Sequence, residues 1–271
     1  MQIRQPAVAG QFYPLEAQEL TRQIESFSKG LKPEKKEAIA CLLPHAGYLY
    51  SGAVAYNVAS EIKIRDILII LGPNHTGMGE DFSVIESGYW ITPLGSRNIN
   101  SELAKELLAN APFLKADYKA HEYEHSIEVQ LPILQYLKKD WTFVPIVIGG
   151  SDFKNYRQLG LEIAATIQKL ALEKKALIIA SSDMSHYEDE KTAKAKDRQA
   201  IEAIEELDEV KLWSRIQKLD ISMCGYAPAI AMLTCAKALG AKKAELIRYQ
   251  TSGDVTGDRS SVVGYAGMIV S

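Results

Sequence analysis

The chain is 271 residues long; 47% of its residues are hydrophobic, 24% are charged, and its formal net charge is −3. These values are typical of a globular protein with a sizeable core. A slightly acidic chain is not attracted to phosphate backbones, so we expect no nucleic-acid partner. The apolar runs are far shorter than the ~20 residues that cross a bilayer, so we expect no membrane association.

The cysteines and the N-terminal residues predict the compartment. Three cysteines make an odd number, in a chain too large to depend on disulfide bonds. The opening residues, MQIRQPAVAGQFYP, lack the cationic start and the apolar core of a signal peptide. We therefore predict a reduced, cytoplasmic protein.

Short apolar runs alternate with longer helical patterns along the chain. The predicted strands are 38–43, 66–71, 143–148, 176–180 and 244–249, with a closing strand at 261–270 that fits an antiparallel direction. The predicted helices are 15–29, 51–60, 100–110, 125–138, 153–173, 190–206 and 225–239. The strand runs are apolar throughout, which suits a sheet covered on both faces. We predict an α/β fold: one three-layer α/β/α domain over residues 1–271, with a mainly parallel or mixed sheet.

Polar side chains follow several of the predicted strands. His45 follows the first strand, His75 the second, and Asp183 with His186 the fourth. In open α/β sheets, ligands bind outside the carboxyl ends of the strands, so these loops are expected to meet. A single loop histidine is more often a surface or hydrogen-bonding residue than a ligand. The pattern alone therefore leaves a metal or catalytic cluster and ordinary histidines equally open.

Cys224 is a further candidate, because it precedes an apolar helical stretch. A cysteine at a helix N-terminus is expected to have a lowered thiol pKa and to be a better thiolate ligand. The alternative is a small buried residue, which is our interpretation of Cys41 and Cys235.

Residues 121–125 read HEYEH, the zinc-binding pattern of many metalloproteases. We expect His121 to lie in a loop or at a helix cap, because the apolar face of the following helix begins only at Ile127. The extended form of the motif also requires a glycine and a third histidine, where this chain has Glu128 and Leu131. The pattern therefore does not indicate a protease.

Eight strings in order along the chain resemble the Memo family, called AmmeMemoRadiSam system protein B in prokaryotes. They are PAVAGQFYP (6–14), PHAGYLYSG (44–52), LGPNHTG (71–77), TPLG (92–95), EHSIEVQLP (124–132), SSDMSHYE (181–188), CGYAP (224–228) and SGDVTGDRSSVVGYA (252–266). The resemblance spans nearly the whole chain and accounts for HEYEH as part of a family segment.

The resemblance implies the fold of the class III extradiol (LigB-like) dioxygenases, which are non-haem iron enzymes. It implies that the metal ligands are His45, His75 and Cys224. It further implies that His125, Asp183 and His186 line the pocket as catalytic residues, with His186 where the dioxygenases place a general base. A thiolate replaces the usual carboxylate ligand, so iron(II) is expected first and copper or zinc next, and catechol cleavage is not expected to transfer with the fold.

Two classes of function remain open from the sequence. The first is a metal-dependent redox enzyme, in which His186 moves a proton near neutral pH. The alternative is a non-catalytic protein that binds a peptide or phosphopeptide, or that handles metal ions. Besides a small-molecule or peptide substrate, the prokaryotic family name implies AMMECR-type and radical SAM proteins as partners.

Overall fold

The computed structural model describes residues 2–271. Its strands are β1 (Ile3–Arg4), β2 (Ala40–Leu43), β3 (Ile67–Pro73), β4 (Phe82–Val84), β5 (Tyr89–Thr92), β6 (Gly95–Asn98), β7 (Lys115–Ala116), β8 (Thr142–Ile148), β9 (Ala176–Ser181), β10 (His186–Glu188), β11 (Ala244–Thr251) and β12 (Val262–Val270). Its α-helices are α1 (Ala17–Ser26), α2 (Ala53–Glu61), α3 (Ser101–Asn110), α4 (Lys119–Glu122), α5 (Gln130–Leu137), α6 (Phe153–Lys169), α7 (Glu190–Glu205), α8 (Glu209–Leu219), α9 (Tyr226–Ala238) and α10 (Gly253–Thr256). A π-helix, Tyr48–Gly52, leads into α2.

A mixed sheet of nine strands forms the centre of the molecule. Its middle strands β2, β9, β3 and β8 are parallel, whereas β12 and β4 add antiparallel to either side. The middle strands are almost entirely buried, as their apolar composition predicts. All six predicted strands lie in this sheet, and the closing strand is antiparallel to β2. The fold is therefore of the α/β type.

Helices cover both faces of the sheet. On one face, α2 packs against β12 and β2 and contacts α5, which in turn contacts α1. On the other face, α9 packs against β9 and β3, and α6, α8, α7 and α3 extend this layer. Two glycines of β12 lie on opposite faces of the sheet and are each covered by a helix. Gly267 faces Val58 of α2, whereas Gly264 faces Asp197 of α7.

Three main features differ from the sequence prediction, besides short elements such as β4, β7 and β10 that were not predicted. Helix α8 was not predicted, although Asp208 caps it by accepting from Lys211 N at 2.8 Å, and Leu212 and Ile216 lie buried one turn apart. The predicted helix 125–138 begins only at Gln130, because the preceding residues form turns. A separate small sheet of β1, β5 and β6 also escaped prediction, since its strands are short and partly polar.

The strand directions bring four loops to one edge. β2, β9 and β3 are parallel, and β11 runs the same way because β12 is antiparallel to both β2 and β11. β10 pairs with β12 beyond the point where β2 ends. The loops after β2, β3, β9 and β11 therefore open at the same end of the sheet.

A buried ion pair attaches the N-terminal segment to this end. Arg4 and Glu128 are at most 1% exposed, and Arg4 Nη1 lies 2.6 Å from Glu128 Oε2. Arg4 also donates to the carbonyl oxygens of His121 and Glu124, and its guanidinium lies 4.1 Å from the ring centre of Trp90. Glu128 accepts from the backbone N–H groups of residues 7 and 8 and from the hydroxyl group of Tyr13.

None of the helices in the described part of the chain, residues 2–271, has the length and apolar character needed to cross a bilayer.

Candidate metal centre

The side chains that the sequence singles out lie at or beside the carboxyl edge of the sheet. His45 follows β2, His75 follows β3 and Asp183 follows β9. The remaining candidates are His125, in the turns before α5, His186, the first residue of β10, and Cys224, just before α9. Parallel pairing thus brings together residues far apart in the chain.

Three imidazole rings face one another at this edge. The ring centre of His45 lies 5.1 Å from that of His75 and 5.4 Å from that of His125, and the rings of His75 and His125 stack at 4.6 Å. One ring nitrogen of each histidine lies within 4.8 Å of one ring nitrogen of both others. Imidazole nitrogens at this spacing suit a transition-metal ion.

The outer side of the His45 ring is fixed by Ser181. His45 Nδ1 lies 2.9 Å from Ser181 Oγ, whose own proton is donated to the carbonyl oxygen of Ser126 at 2.6 Å. Gln130 Nε2 donates to the same Oγ at 2.9 Å. Because the serine proton is already used, His45 must donate from Nδ1, which leaves the lone pair of Nε2 free for a metal ion.

Glu124 fixes the second ring. Its Oε1 accepts from His75 Nδ1 at 2.9 Å, and its Oε2 accepts from the backbone N–H of His75 at 2.6 Å. The same Oε1 lies 3.6 Å from His125 Nδ1. Burial acts to raise the pKa of Glu124, but the hydrogen bond from His75 and the charges of the two imidazoles lower it to about 2. The carboxylate can only accept, so His75 also presents Nε2.

Cys224 lies against the first of these rings, with its Sγ 3.2 Å from His45 Nε2. Its sulfur also accepts from the backbone N–H of Asp183 at 3.3 Å. Burial raises the pKa of the Cys224 thiol, and the neighbouring Asp183 raises it further. This direction is opposite to the lowered pKa expected at a helix N-terminus, because desolvation of the thiol outweighs the effect of the helix. Cys41 and Cys235 are buried, as predicted.

Asp183 faces the backbone of the His45 loop. Its Oδ1 accepts from the N–H of His45 at 2.7 Å and from that of Ala46 at 3.3 Å. Burial raises the pKa of Asp183 to about 6, although these bonds lower it. Asp183 therefore fixes the loop that carries a ligand candidate.

His186 is oriented by a backbone carbonyl. Its Nδ1 lies 2.9 Å from the carbonyl oxygen of Ser222, and its backbone N–H donates to Ser222 Oγ at 2.8 Å. A carbonyl oxygen only accepts, so Nδ1 carries the proton and Nε2 is free to take one up.

The charge state of the cluster follows from burial. Burial lowers the pKa of His45 well below its usual range, and the imidazoles of His125, His75 and His186 lower it further. Burial likewise lowers the pKa of His125, against the opposing charge of Glu124. Both rings are therefore neutral near pH 7, which is the form that binds metal ions.

The two histidines of HEYEH have separate surroundings. His121 lies in the short helix α4, which ends at Glu122, so His121 and His125 do not share a helical face. The ring of His121 is fully buried near Trp90, and neither ring nitrogen has a hydrogen-bond partner within residues 2–271. Only His125 joins the cluster, and the zinc-protease arrangement is absent from the described residues.

Sequence reasoning missed the residues that support the ligands. Glu124, Ser181 and Gln130 were not singled out, although each lies inside or beside a recognised string. Phe12 was also missed; its ring lies 4.8 Å from that of His125. The sequence signal for Glu124 is a glutamate directly before the candidate ligand His125, since carboxylates often hold the second ring nitrogen of metal-binding histidines.

Comparisons with known proteins place the chain in a family. The family model described as Memo-like protein matches residues 4–269. A MEMO1 family protein of Methanosarcina mazei is 44% identical over 271 residues and covers all of both chains, and one of Aquifex aeolicus is 41% identical over 99% of both. An uncharacterized Escherichia coli protein of known crystal structure has a TM-score of 0.56 at 14% identity, over 85% of this chain and 98% of its own, which shows the fold alone. The chain belongs to the family of Memo-like proteins.

Proposed function

We propose that the protein binds one transition-metal ion, with iron(II) as the first choice, and uses it in an oxidation–reduction reaction on a small molecule or peptide. The observation that carries this proposal is the convergence of three imidazoles, two of which have Nδ1 held on the outer side, while Nε2 of His45 meets the sulfur of Cys224. A purely structural polar cluster would pair these nitrogen atoms with groups that do not bind metal ions, whereas the sulfur beside His45 Nε2 is itself a metal-binding group.

The donor set fits such an ion. His45 and His75 offer Nε2, and Cys224 offers a sulfur in contact with His45 Nε2, so these three residues are the proposed ligands. His125 lies close enough to be a further ligand or to contact a bound substrate. Two imidazoles and a thiolate suit iron, copper or zinc better than magnesium or calcium.

The surrounding residues have separate tasks in this proposal. A bound redox metal ion supplies the site at which electrons pass to or from the substrate. His186, with its Nδ1 proton held by Ser222, takes up or returns a proton at Nε2. Asp183 holds the His45 loop, and Glu124 holds His75.

The proposal also includes a relation to a known enzyme fold and a set of partner proteins, and these two parts have different support. The three-layer α/β architecture and the family membership support a relation to the class III extradiol (LigB-like) dioxygenase fold. Action alongside AMMECR-type and radical SAM proteins is supported by the sequence resemblance alone.

The test is metal analysis of protein purified without oxygen. We expect near-stoichiometric iron in the unchanged protein and a loss of at least about tenfold in His75→Ala and in Cys224→Ala, since each removes one ligand. Cys235→Ala and His121→Phe are the matched controls, because these residues are buried away from the cluster, and both should retain metal. His125→Ala belongs to the same series. Loss of metal in this variant would make His125 a ligand, whereas retained metal would make it a substrate contact.

Metal that is absent, or that is unaffected by both ligand variants, would contradict the proposal and favour a metal-independent binding protein. Once metal is shown, His186→Ala should keep the metal and lose turnover in an oxygen-uptake screen. A simultaneous loss of metal in His186→Ala would instead assign this residue a structural role.

A further inference from the structure

A cleft lies at the end of the main sheet opposite the metal centre. It has a volume of about 660 Å³, and its lining includes Ile67 and Thr142, the first residues of β3 and β8. Strand β3 spans 7 residues, roughly 20 Å, and His75 lies just beyond its other end. The cleft is therefore separate from the imidazole cluster, and its size suits a small molecule.

One wall of the cleft is β6 of the small sheet, which a tight turn holds in place. The TPLG string (92–95), which lies outside the metal centre, forms the turn between β5 and β6. Thr92 Oγ1 donates to Gln135 Oε1 of α5 at 2.6 Å, and Gln135 Nε2 donates to the carbonyl oxygen of Gly95 at 2.9 Å. Gly95 has a φ of 108°, a conformation that favours glycine. The turn thus fixes the residues that follow it, which line the cleft.

Arg97 is the residue of this wall whose charge has no partner. Its Cζ lies 5.1 Å from the ring centre of Trp141, an arrangement that holds the guanidinium group flat against the ring. Within residues 2–271 the group donates only from Nη1, to the carbonyl oxygen of Ser96 at 2.8 Å, and its buried Nε has no partner. Its Nη2 therefore remains available to an acceptor in the cleft.

The other charged side chains of the lining leave an excess of positive charge. Asp66 is paired with Lys138, whose Nζ lies 2.5 Å from Asp66 Oδ1. Lys139 and Asp140 also line the cleft, and neither forms an ion pair with the described part of the chain. The unpaired charges are two cations, Arg97 and Lys139, against one carboxylate. Such a lining attracts an anion.

Three uncharged side chains of the lining can donate hydrogen bonds. They are Ser96, Asn98 and Thr142. Thr142 Oγ1 accepts from Asn100 Nδ2 at 3.0 Å, so its own proton is not needed for that contact. Hydroxyl and amide groups beside arginine and lysine are the donors that proteins use for phosphate oxygens.

We propose that this cleft binds the phosphate group of a small organic phosphate. Arg97 and Lys139 hold the phosphate oxygens by charge, and Ser96, Asn98 and Thr142 donate to them. The volume of the cleft exceeds that of a phosphate ion, so the organic part of the ligand lies in the same cleft. The proposal does not rest on the proposed function, because none of these residues belongs to the metal centre.

The test uses inorganic phosphate and glucose 6-phosphate as probes, with glucose as the uncharged counterpart. Each is titrated into the full chain at constant ionic strength, and binding is followed by protein-observed NMR. We expect both phosphates to shift the amide resonances of residues 95–98 and 139–142, with glucose 6-phosphate binding at least as tightly as the ion. Glucose should leave these resonances unchanged.

The variants change charge at exposed or half-exposed positions, so they should fold. Arg97→Gln should weaken both phosphates at least about fivefold, because it removes a charge-assisted hydrogen bond. Arg97→Lys should recover only part of this loss, since an ammonium group lacks the planar fork. Asp140→Asn removes the opposing carboxylate and should strengthen both phosphates about twofold. Arg22→Gln, which removes the same charge from α1, is the matched control and should bind like the unchanged protein.

Phosphate binding that is equal in the unchanged protein and in Arg97→Gln would overturn the site. Binding of inorganic phosphate without glucose 6-phosphate would reduce the cleft to an ion site and would also overturn the proposal. Metal content is measured in the same samples. Bound metal without Arg97-dependent phosphate binding leaves the proposed function standing and removes the phosphate site. Arg97-dependent binding in protein that never takes up metal does the reverse.

Discussion

Two polar clusters meet on the segment from Glu124 to Glu128, and they are built differently. In the Arg4–Glu128 network, the carboxylate accepts from Arg4, Tyr13 and two backbone N–H groups, so the cluster is satisfied within the protein. In the imidazole cluster, Nδ1 of His45 and of His75 is bonded, whereas Nε2 of His45 meets the sulfur of Cys224, another proposed ligand. A cluster whose charges and hydrogen bonds are paired fixes the chain, whereas a cluster in which proposed ligand atoms meet one another is prepared for a metal ion.

The largest expected effect comes from breaking the fully paired cluster. Arg4→Met leaves the carboxylate of Glu128 buried without its cation, and we expect the free energy of unfolding to fall by about 3–5 kcal/mol in urea denaturation. Arg4→Met combined with Glu128→Leu should recover part of this loss, because no charge remains buried.

An exposed ion pair provides the control for this experiment. Lys63 and Glu37 lie 2.8 Å apart with both side chains more than half exposed. Lys63→Met should leave the unfolding transition where it is. An Arg4→Met protein as stable as Lys63→Met would show that the Arg4–Glu128 pair does not hold the N-terminal segment.

A smaller effect is expected from disturbing the outer side of the imidazole cluster. Glu124→Gln keeps the size of the side chain but removes the charge that holds His75 Nδ1. We expect metal affinity to fall by about 10–100-fold while the protein stays folded, as measured by competition with a chelator. Glu122→Gln is the neighbouring control and should retain full affinity. Unchanged affinity in Glu124→Gln would mean that the ligand geometry is set elsewhere.

The smallest effect concerns His121, which is paired on neither side. Burial lowers its pKa to about 3, with a further contribution from Arg4, against Asp117 and Glu124, so the folded protein keeps the ring neutral. The unfolded chain takes up a proton below pH ~6.5, so stability is lost as the pH falls from there towards 3.

The variant His121→Phe isolates this contribution from those of the other histidines. We expect the difference in unfolding free energy between the unchanged protein and His121→Phe to shift by about 1.4 kcal/mol between pH 7.5 and pH 5.5, in favour of the variant at the lower pH. A difference that is constant with pH would show that folding does not lower the pKa of His121.

Residue patterns alone determined the main strands and most of the helices. Runs such as 66–71 and 176–180 are apolar throughout, and a chain can bury such a run on both sides only in a covered sheet. Helix α8 also has a local sequence signal, because Asp208 is a capping residue and Leu212 and Ile216 are apolar residues one turn apart. The sequence was therefore sufficient to predict this helix. The short strands of the small sheet lacked a signal, because they are held by pairing with residues distant in sequence.

The sequence by itself also identified the polar side chains that follow the strands. A histidine directly after an apolar strand can be recognised from a few consecutive residues. Only the tertiary structure decided which of them meet. His125 joins His45 and His75, whereas His121, four residues earlier, lies buried beside Trp90. The orientation of the His45 and His75 rings depends on Ser181 and Glu124. Hydrogen-bond partners and burial are set by residues far apart in the chain, so no local pattern contains them.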